Sequence, residues 1–338
     1  MIHEAIEKLN KKKDLSEKEM EEVFTEIMQG KVVTEEITAF LLLLKEKKET
    51  VEEITGAARV MRKFAEKINV KKENLLDTCG TGGDETGTFN ISTIAAFVAA
   101  GAGCSVAKHG NRSVSSKCGS ADLLEALGVN INAENKVVER CINEIGIGFL
   151  FAPRLHLAMK HAMPARKKIK TRSIFNILGP LTNPAGARRQ LLGVYDEGLL
   201  MTLANVLKNL GSVKAVVVHG KDGLDEITTS DITAVAELID GKVKPHIIVP
   251  ENFGFMRTRM GDLKGGDAEF NKKIALDILG GKTGPRRDVV LLNAGVAIYV
   301  AGLTETLTDG VKRAGESIDS GKALEKLEKL RKLTNTES

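Results

Sequence analysis

Tryptophan is absent from the chain, and aromatic residues make up only 4% of its 338 positions. That scarcity argues against a base-stacking platform for single-stranded nucleic acid, which needs rings at short intervals. An excess of one charge sign is also missing. The 49 Lys and Arg residues against 45 Asp and Glu leave a formal +4, dispersed along the chain, whereas nucleic-acid binders concentrate cations on one face. The lysine runs at 11–13 and 167–168 are short and read as solvated surface. No apolar run approaches the roughly 18 residues of a membrane span. The longest, at 94–103, is rich in Ala and Gly and suits a buried helix. Residues 1–13 lack the apolar centre of a secretory signal. The four cysteines (Cys79, Cys104, Cys118, Cys141) form no CxxC pair and show no metal-site spacing. Together these absences predict a cytoplasmic protein with reduced thiols and no nucleic-acid or membrane partner.

What is present is a length sufficient for two domains, with 42% hydrophobic and 28% charged residues, as in globular proteins. Residues 1–70 read as wholly helical. Capping boxes at Ser16 with Glu19 and at Thr50 with Glu53 start two helices, and Thr34 is expected to cap another. Four short helices cannot bury all their apolar faces alone, so some should pack on a neighbouring domain or a second subunit. From residue 71 to 338 strands alternate with helices. Strands are expected at 75–79, 105–108, 148–152, 190–195, 214–219, 246–249 and 289–293, and helices at 121–127, 137–145, 198–210 and 268–279. Residues 283–288 are expected as a loop and 316–333 as one charged helix. An insertion near 155–183, with short helices split by Pro164, is expected to rejoin the helical domain. The predicted fold class is therefore α/β: a small all-helical domain plus a larger domain with a mostly parallel central sheet flanked by helices. Sites in such sheets lie at strand carboxyl ends, and Gly80, His109, Gly220 and Ala294 each follow an expected end.

Around the first of these ends lie Gly80, Gly82, Gly83 and Gly87, followed by Asn90, Ile91, Ser92 and Thr93 at the start of an apolar helix. Glycines let backbone N–H groups approach an anion, and a helix N-terminus adds partial positive charge. No GK[ST] ends the loop, and Glu85 stands where a third dinucleotide glycine would, so neither nucleotide fingerprint applies. Asp84 is unexpected in a bare phosphate cradle and could bond a sugar hydroxyl or a loop amide. A second polar loop carries Lys108, His109, Gly110, Asn111, Arg112, Ser113, Val114, Ser115, Ser116, Lys117 and Ser120. Lys108 is expected to point a mobile cation into the site. Arg112 and Lys117 suit either phosphate or a surface ion pair, and His109 either a structural role or a ring contact. Two such loops in tandem suggest a ligand with more than one phosphate. Beside them, Asp225-Glu226 suits a hard cation such as Mg²⁺, although the pair also suits the first turn of a helix. Arg166 could grip a carboxylate on an aromatic co-substrate, or be one more cation beside Lys167 and Lys168.

The blocks DTCGTGGD at 77–84, NIST at 90–93, KHGNRSVSSKCGSAD at 108–122, LHLAMKHAMPAR at 155–166, FNILGPLTNP at 175–184 and LDE at 224–226 occur in this order. Together they resemble the anthranilate phosphoribosyltransferase family over essentially the whole chain. The resemblance implies Mg²⁺-dependent transfer of phosphoribose from phosphoribosyl pyrophosphate to anthranilate, in tryptophan biosynthesis. It implies that Gly80, Gly83, Asp84, Thr88, Asn90, Ile91, Ser92, Thr93, the run from Lys108 to Ser116, and Ser120 hold phosphoribosyl pyrophosphate. It places Mg²⁺ on Ser92, Asp225 and Glu226. It places anthranilate against Gly80, Asn111 and Arg166, with His109, His156 and Pro180 lining its channel. Lys108, Asn111 and Arg166 are the expected catalytic residues, and a homodimer through the helical domain is implied. Pyrimidine nucleoside phosphorylases share this architecture and are the alternative, but no pattern for their phosphate loop is found. A non-catalytic paralogue is disfavoured by the simultaneous presence of Asp225-Glu226 and Arg166.

Overall fold

The computed structural model describes residues 1–113 and 117–336. Four helices come first: α1 (Ile2–Asn10), α2 (Glu17–Met28), α3 (Thr34–Lys47) and α4 (Val51–Phe64). Both expected capping boxes form, at Ser16 with Glu19 and at Thr50 with Glu53. Glu53 does more than cap, accepting the Leu15 N–H at 2.8 Å and pairing with the Lys47 ammonium at 3.0 Å while wholly buried. The N-cap of α3 is Val33, in extended conformation without a side-chain bond, and Thr34 is already helical.

The chain then alternates through β1 (Leu76–Gly80), α5 (Ile91–Gly101), β2 (Val106–Gly110), α6 (Ser120–Ala126), α7 (Asn135–Arg140) and β3 (Ile147–Phe151). Next come three short helices, α8 (Ala152–Leu155), α9 (Met163–Ile169) and α10 (Phe175–Leu178). Pro164 does not split a helix; it sits in the first turn of α9, where a missing N–H costs nothing. The alternation resumes with β4 (Arg189–Gly193), α11 (Leu199–Asn209), β5 (Lys214–Gly220), β6 (Thr233–Ile239), β7 (Lys242–Ile248), α12 (Ala268–Leu279), α13 (Pro285–Ala301), α14 (Leu307–Asp319) and α15 (Lys322–Asn335).

These strands form one seven-stranded sheet in the order β3-β2-β1-β4-β5-β6-β7. The first five are parallel, and β6 and β7 add on antiparallel. Three expectations change here. Strand β6 is additional to the expected set, although Asp240-Gly241, both at positive φ (50° and 70°), is a hairpin turn signal. The apolar run 289–293 is not a strand but the middle of α13, so Ala294 follows no strand end and Pro285 in 283–288 already opens a helix. A short apolar run fits a buried strand or a buried helix equally well, and only its 17-residue context decides. Finally, 316–333 is broken at Gly321 (φ 75°) into α14 and α15.

The sheet separates two apolar clusters. Leu191, Val216 and Val218 face one, packed by α5 and α13, whereas Leu192, Val194 and Val217 face the other, following the two-residue strand period. The second cluster continues into α1–α4, α11 and the connecting residues Ala162, Ala165, Ile169, Phe175 and Leu178. The surplus apolar faces of the N-terminal helices are thus buried largely against the 155–183 insertion and α11.

Candidate active site

Chain order runs outward from β1 through β2 to β3, then returns to β4 on the other side of β1. The carboxyl ends of β1 and β4 therefore flank a topological switch point, where open α/β sheets leave a ligand crevice. The glycine loop enters it. Thr81 N–H donates to the Gly193 carbonyl at 2.9 Å, and Tyr195 N–H donates to Thr81 Oγ1 at 3.1 Å. Asp225 arrives from the loop after β5 and crosses the end of β4 so closely that a Cβ on Gly193 would lie 1.6 Å from the Asp225 carbonyl oxygen. Its carboxylate accepts the Gly82 N–H at 2.9 Å.

Glu226 accepts the Ser92 N–H at 3.1 Å, at the first turn of α5. Burial, with the nearby Asp84 and Glu226 carboxylates, raises the Asp225 acid well above the usual range. Burial likewise pushes Glu226 up to about 7, against the opposing pull of Lys108 and the Ser92 N–H. Three acidic side chains thus converge at a helix N-terminus. Asp84 also accepts from the Thr86 amide at 3.3 Å and from the Thr86 hydroxyl, so it does tie down a loop amide. The rest of that loop is fastened from outside: Thr88 pairs with Lys264, and Gly265 N–H donates to the Gly87 carbonyl at 3.0 Å.

Lys108 is not mobile. Only 4% exposed, its ammonium donates to the Thr78 carbonyl on the adjacent strand and lies 3.4 Å from Ser92 Oγ. Burial lowers its pKa, opposed by Asp77, Cys79 and Glu226. Thr93 is buried too, and its hydroxyl has no partner among the described residues. Asn90 bridges the two loops, donating to the Cys118 carbonyl at 2.9 Å and accepting from Asn271 at 3.0 Å. In the second loop, Arg112 is held by Asp122 (2.8 Å) and Glu125 (2.9 Å), the surface-pair alternative. Asn111 Oδ1 accepts the Arg112 N–H at 2.7 Å, and Ser120 donates to the Asn111 carbonyl at 3.2 Å. A Cβ on Gly110 would stand 2.3 Å from Ser120 Oγ and 2.8 Å from the Phe149 ring, so a side chain there would displace both. Ser113 and Gly119 amides both donate to Asp122 (3.1 and 2.8 Å). Val114, Ser115 and Ser116 lie outside the described residues.

The 155–183 insertion meets these strand ends, His156 reaching His109 at the end of β2. Arg166, on α9, stands 5.3 Å from the centre of the Phe175 ring, which packs at 5.6 Å on Phe24 of α2. Among the described residues no carboxylate pairs with Arg166, and burial lowers its pKa. Its neighbour Lys168, by contrast, pairs with Glu35 of α3. His109 and His156 meet at 3.2 Å through their Nε2 atoms. Burial pushes them down to about 3 and about 4 respectively, so both rings are neutral near pH 7. His109 also bonds the Gly179 backbone, next to Pro180, whose carbonyl accepts from Gln190 at 2.6 Å.

Two contributors lie outside the residues expected from sequence. Asn183 bridges Asp77 (2.8 Å) and the Ala107 carbonyl (2.8 Å), joining β1 to β2 beneath the loops. Arg172 donates to the Gly83 carbonyl and covers the Tyr195 ring at 3.9 Å. Both act through folded neighbours distant in sequence. The only signals available were the Asn-Pro turn at 183–184 and an arginine close behind Arg166.

Comparison with known proteins gives two family matches: "Glycosyl transferase family, helical bundle domain" over residues 3–65 and "Glycosyl transferase family, a/b domain" over 72–324. The anthranilate phosphoribosyltransferase of Syntrophobacter fumaroxidans is 55% identical over 335 residues, covering 99% of each chain. A crystal structure of the Thermus thermophilus enzyme of that name is 42% identical with a TM-score of 0.94, covering 98% of this chain and 99% of that one. The Saccharomyces cerevisiae enzyme, solved in complex with phosphoribosyl pyrophosphate and Mg, is 27% identical with a TM-score of 0.91, covering 99% of this chain and 98% of that one. A further structure of the yeast enzyme holds 4-fluoroanthranilate.

Proposed function

Since the chain belongs to the anthranilate phosphoribosyltransferase family, we propose that it transfers the 5-phosphoribosyl group from phosphoribosyl pyrophosphate to the amine of anthranilate, releasing pyrophosphate. The observation that carries this reading is the set of loop amides, buried Lys108 and acidic side chains gathered at one switch point. The insertion that carries Arg166, which has no carboxylate partner among the described residues, reaches these strand ends through His156 and Arg172.

The phosphoribosyl ligand would lie along the glycine loop, from Gly80, Gly83, Asp84 and Thr88 to the helix start at Asn90–Thr93, and along the second loop from Lys108 to Ser120. Because the Thr93 side chain is buried, its contribution there is its backbone. Burial, with repulsion among the carboxylates, raises both Asp225 and Glu226, and a divalent cation would offset both effects. Among the described residues no group of three His, Cys, Asp or Glu forms a self-sufficient cage. This suits Mg²⁺, which keeps waters and takes one or two carboxylates plus ligand phosphates. Ser92, Asp225 and Glu226 would hold it, and the bound ion would supply positive charge against the leaving pyrophosphate.

At the other wall, Arg166 would grip the acceptor carboxylate, with Gly80 and Asn111 close to the amine. His109, His156 and Pro180 would line the approach. An aromatic amine is already unprotonated near pH 7, so it needs orientation more than a strong base. The two neutral histidines agree with that. The amine nitrogen bonds to the anomeric carbon as the carbon–oxygen bond to pyrophosphate breaks, and the nitrogen's proton passes to solvent.

The division at residue 70, with the 155–183 insertion joined to the helical unit, lets the two walls close on each other. Met1, Val33 and Leu42 stay exposed on that unit, which supports a homodimer through it. The pathway is tryptophan biosynthesis in the cytoplasm. The test is incubation with anthranilate, phosphoribosyl pyrophosphate and Mg²⁺: anthranilate fluorescence falls as pyrophosphate appears in equal amount. Folded protein that leaves anthranilate untouched, or that instead cleaves thymidine or uridine with phosphate, would refute it.

A further inference from the structure

We propose that Arg172 is a positioning residue that clasps the glycine loop to the segment carrying Arg166, so that filling one substrate site orders the other. The proposal rests on the phosphoribosyltransferase reading and adds a residue and a coupling to it.

Arg172 follows Arg166 by six positions, just beyond Lys170, which turns the chain with a left-handed φ of 52°. From there its Nη2 donates to the Gly83 carbonyl, and its guanidinium plane lies 3.9 Å from the centre of the Tyr195 ring. The Gly82–Gly83 stretch is therefore held on both sides, since the Gly82 N–H is bound by Asp225 at 2.9 Å. Gly83 sits at φ 80°, and a Cβ there would come 3.0 Å from Nη2, so glycine permits the approach. The platform is fixed too, because the Tyr195 N–H donates to Thr81 in the same loop at 3.1 Å.

The other end of the segment is fastened to the helical bundle. Lys168 pairs with Glu35, and Lys45 donates to the Thr171 hydroxyl. A mechanical path thus runs from the bundle through 166–172 to the phosphoribosyl loop, with Arg172 as its last link. Among the described residues the one carboxylate paired with Arg172 is Glu85 at 3.9 Å, itself exposed. A lysine could not replace this arginine, because stacking on Tyr195 and donating to Gly83 together require a planar, multi-donor group. Coupling between two ligand sites is reciprocal, so a clasp that orders the loop must act on the affinity of both substrates.

The test compares wild type with Arg172→Met, Arg172→Lys, Tyr195→Phe and Tyr195→Leu. Titration of Mg²⁺-phosphoribosyl pyrophosphate without anthranilate should give a Kd about tenfold weaker for Arg172→Met. Arg172→Lys should rescue little, Tyr195→Phe, which keeps the ring and loses only the hydroxyl beside Arg172, should stay closer to wild type than Tyr195→Leu, and Tyr195→Leu should shift in the same direction as Arg172→Met. In wild type the apparent anthranilate KM should fall about fivefold from low to saturating phosphoribosyl pyrophosphate; in Arg172→Met that fall should shrink below about twofold. A residue that merely supports the fold would lower the melting temperature and kcat without this substrate-specific split. Wild-type affinity in Arg172→Met overturns the proposal, as does an anthranilate KM in wild type that ignores the second substrate. If Arg172→Met does not fold, identical behaviour of Tyr195→Leu and Tyr195→Phe overturns it. Failure of wild type itself to bind Mg²⁺-phosphoribosyl pyrophosphate would instead refute the functional reading.

Discussion

The two walls of the crevice are made in opposite ways. The proposed phosphoribosyl wall comes chiefly from the described residues of 77–113 and 117–120, at consecutive parallel strand ends, where the central polar groups have fixed partners. Lys108 is tied to Thr78, Asp225 to Gly82 and Glu226 to Ser92. The proposed acceptor wall comes from short helices in an insertion, and its cation, Arg166, is left without a counter-ion among the described residues. A rigid wall of preorganised dipoles suits the centre where charge develops. An unpaired cation on a separate segment suits recognition of a carboxylate that arrives with the second substrate.

The largest expected effect lies on the first wall. Asp225→Asn combined with Glu226→Gln should reduce Mg²⁺-dependent turnover at least about a hundredfold; a Mg²⁺ titration that gives the wild-type activation curve would move the metal site elsewhere. On the second wall, Arg166→Ala should raise the anthranilate KM about tenfold or more, the worth of a charge-assisted hydrogen bond. Steady-state kinetics showing an equal rise for phosphoribosyl pyrophosphate would merge the two walls.

A third effect concerns stability. His109 and His156 titrate at about 3 and about 4 in the folded protein, below an ordinary histidine at 6.5. Between those values the unfolded chain binds more protons than the folded one. The stability due to their neutrality is therefore complete above pH 6.5 and is lost as pH falls toward 4, by on the order of 1.4 kcal/mol per pH unit per histidine. Urea unfolding at pH 7 and pH 5 should show a smaller difference in His109→Gln/His156→Gln than in wild type. The smallest effect is expected at Arg112, already neutralised at the surface by Asp122 and Glu125. Arg112→Gln should change the phosphoribosyl pyrophosphate KM less than about threefold, and a tenfold change would show that it leaves its carboxylates to bind phosphate.

The same contrast explains what could be read from the chain. Gly80–Gly83, Asn90–Thr93 and Lys108–Asn111 are local runs between a strand and a helix, and such runs announce themselves by spacing. The immobility of Lys108 does not, because its partner Thr78 lies on a neighbouring strand whose register is a tertiary fact. The roles of Arg172 and Asn183 escape the sequence for the same reason, since their partners Gly83, Asp77 and Ala107 are distant along the chain. The fold class follows from strand–helix alternation. Its errors fall where local pattern is ambiguous: the apolar run 289–293 is equally at home in a buried helix, and β6 adds a strand that only its Asp-Gly turn announces. The order of β1 beside β4, which creates the crevice, is a matter of topology with no local code.

The separateness of the walls is tested most directly by calorimetric titration of Mg²⁺-phosphoribosyl pyrophosphate into Arg166→Ala without anthranilate. The expected Kd lies within about twofold of wild type, because no described group of the proposed phosphoribosyl wall depends on that cation for its partner. A loss of affinity as large as the rise in anthranilate KM would contradict the division of labour between the walls.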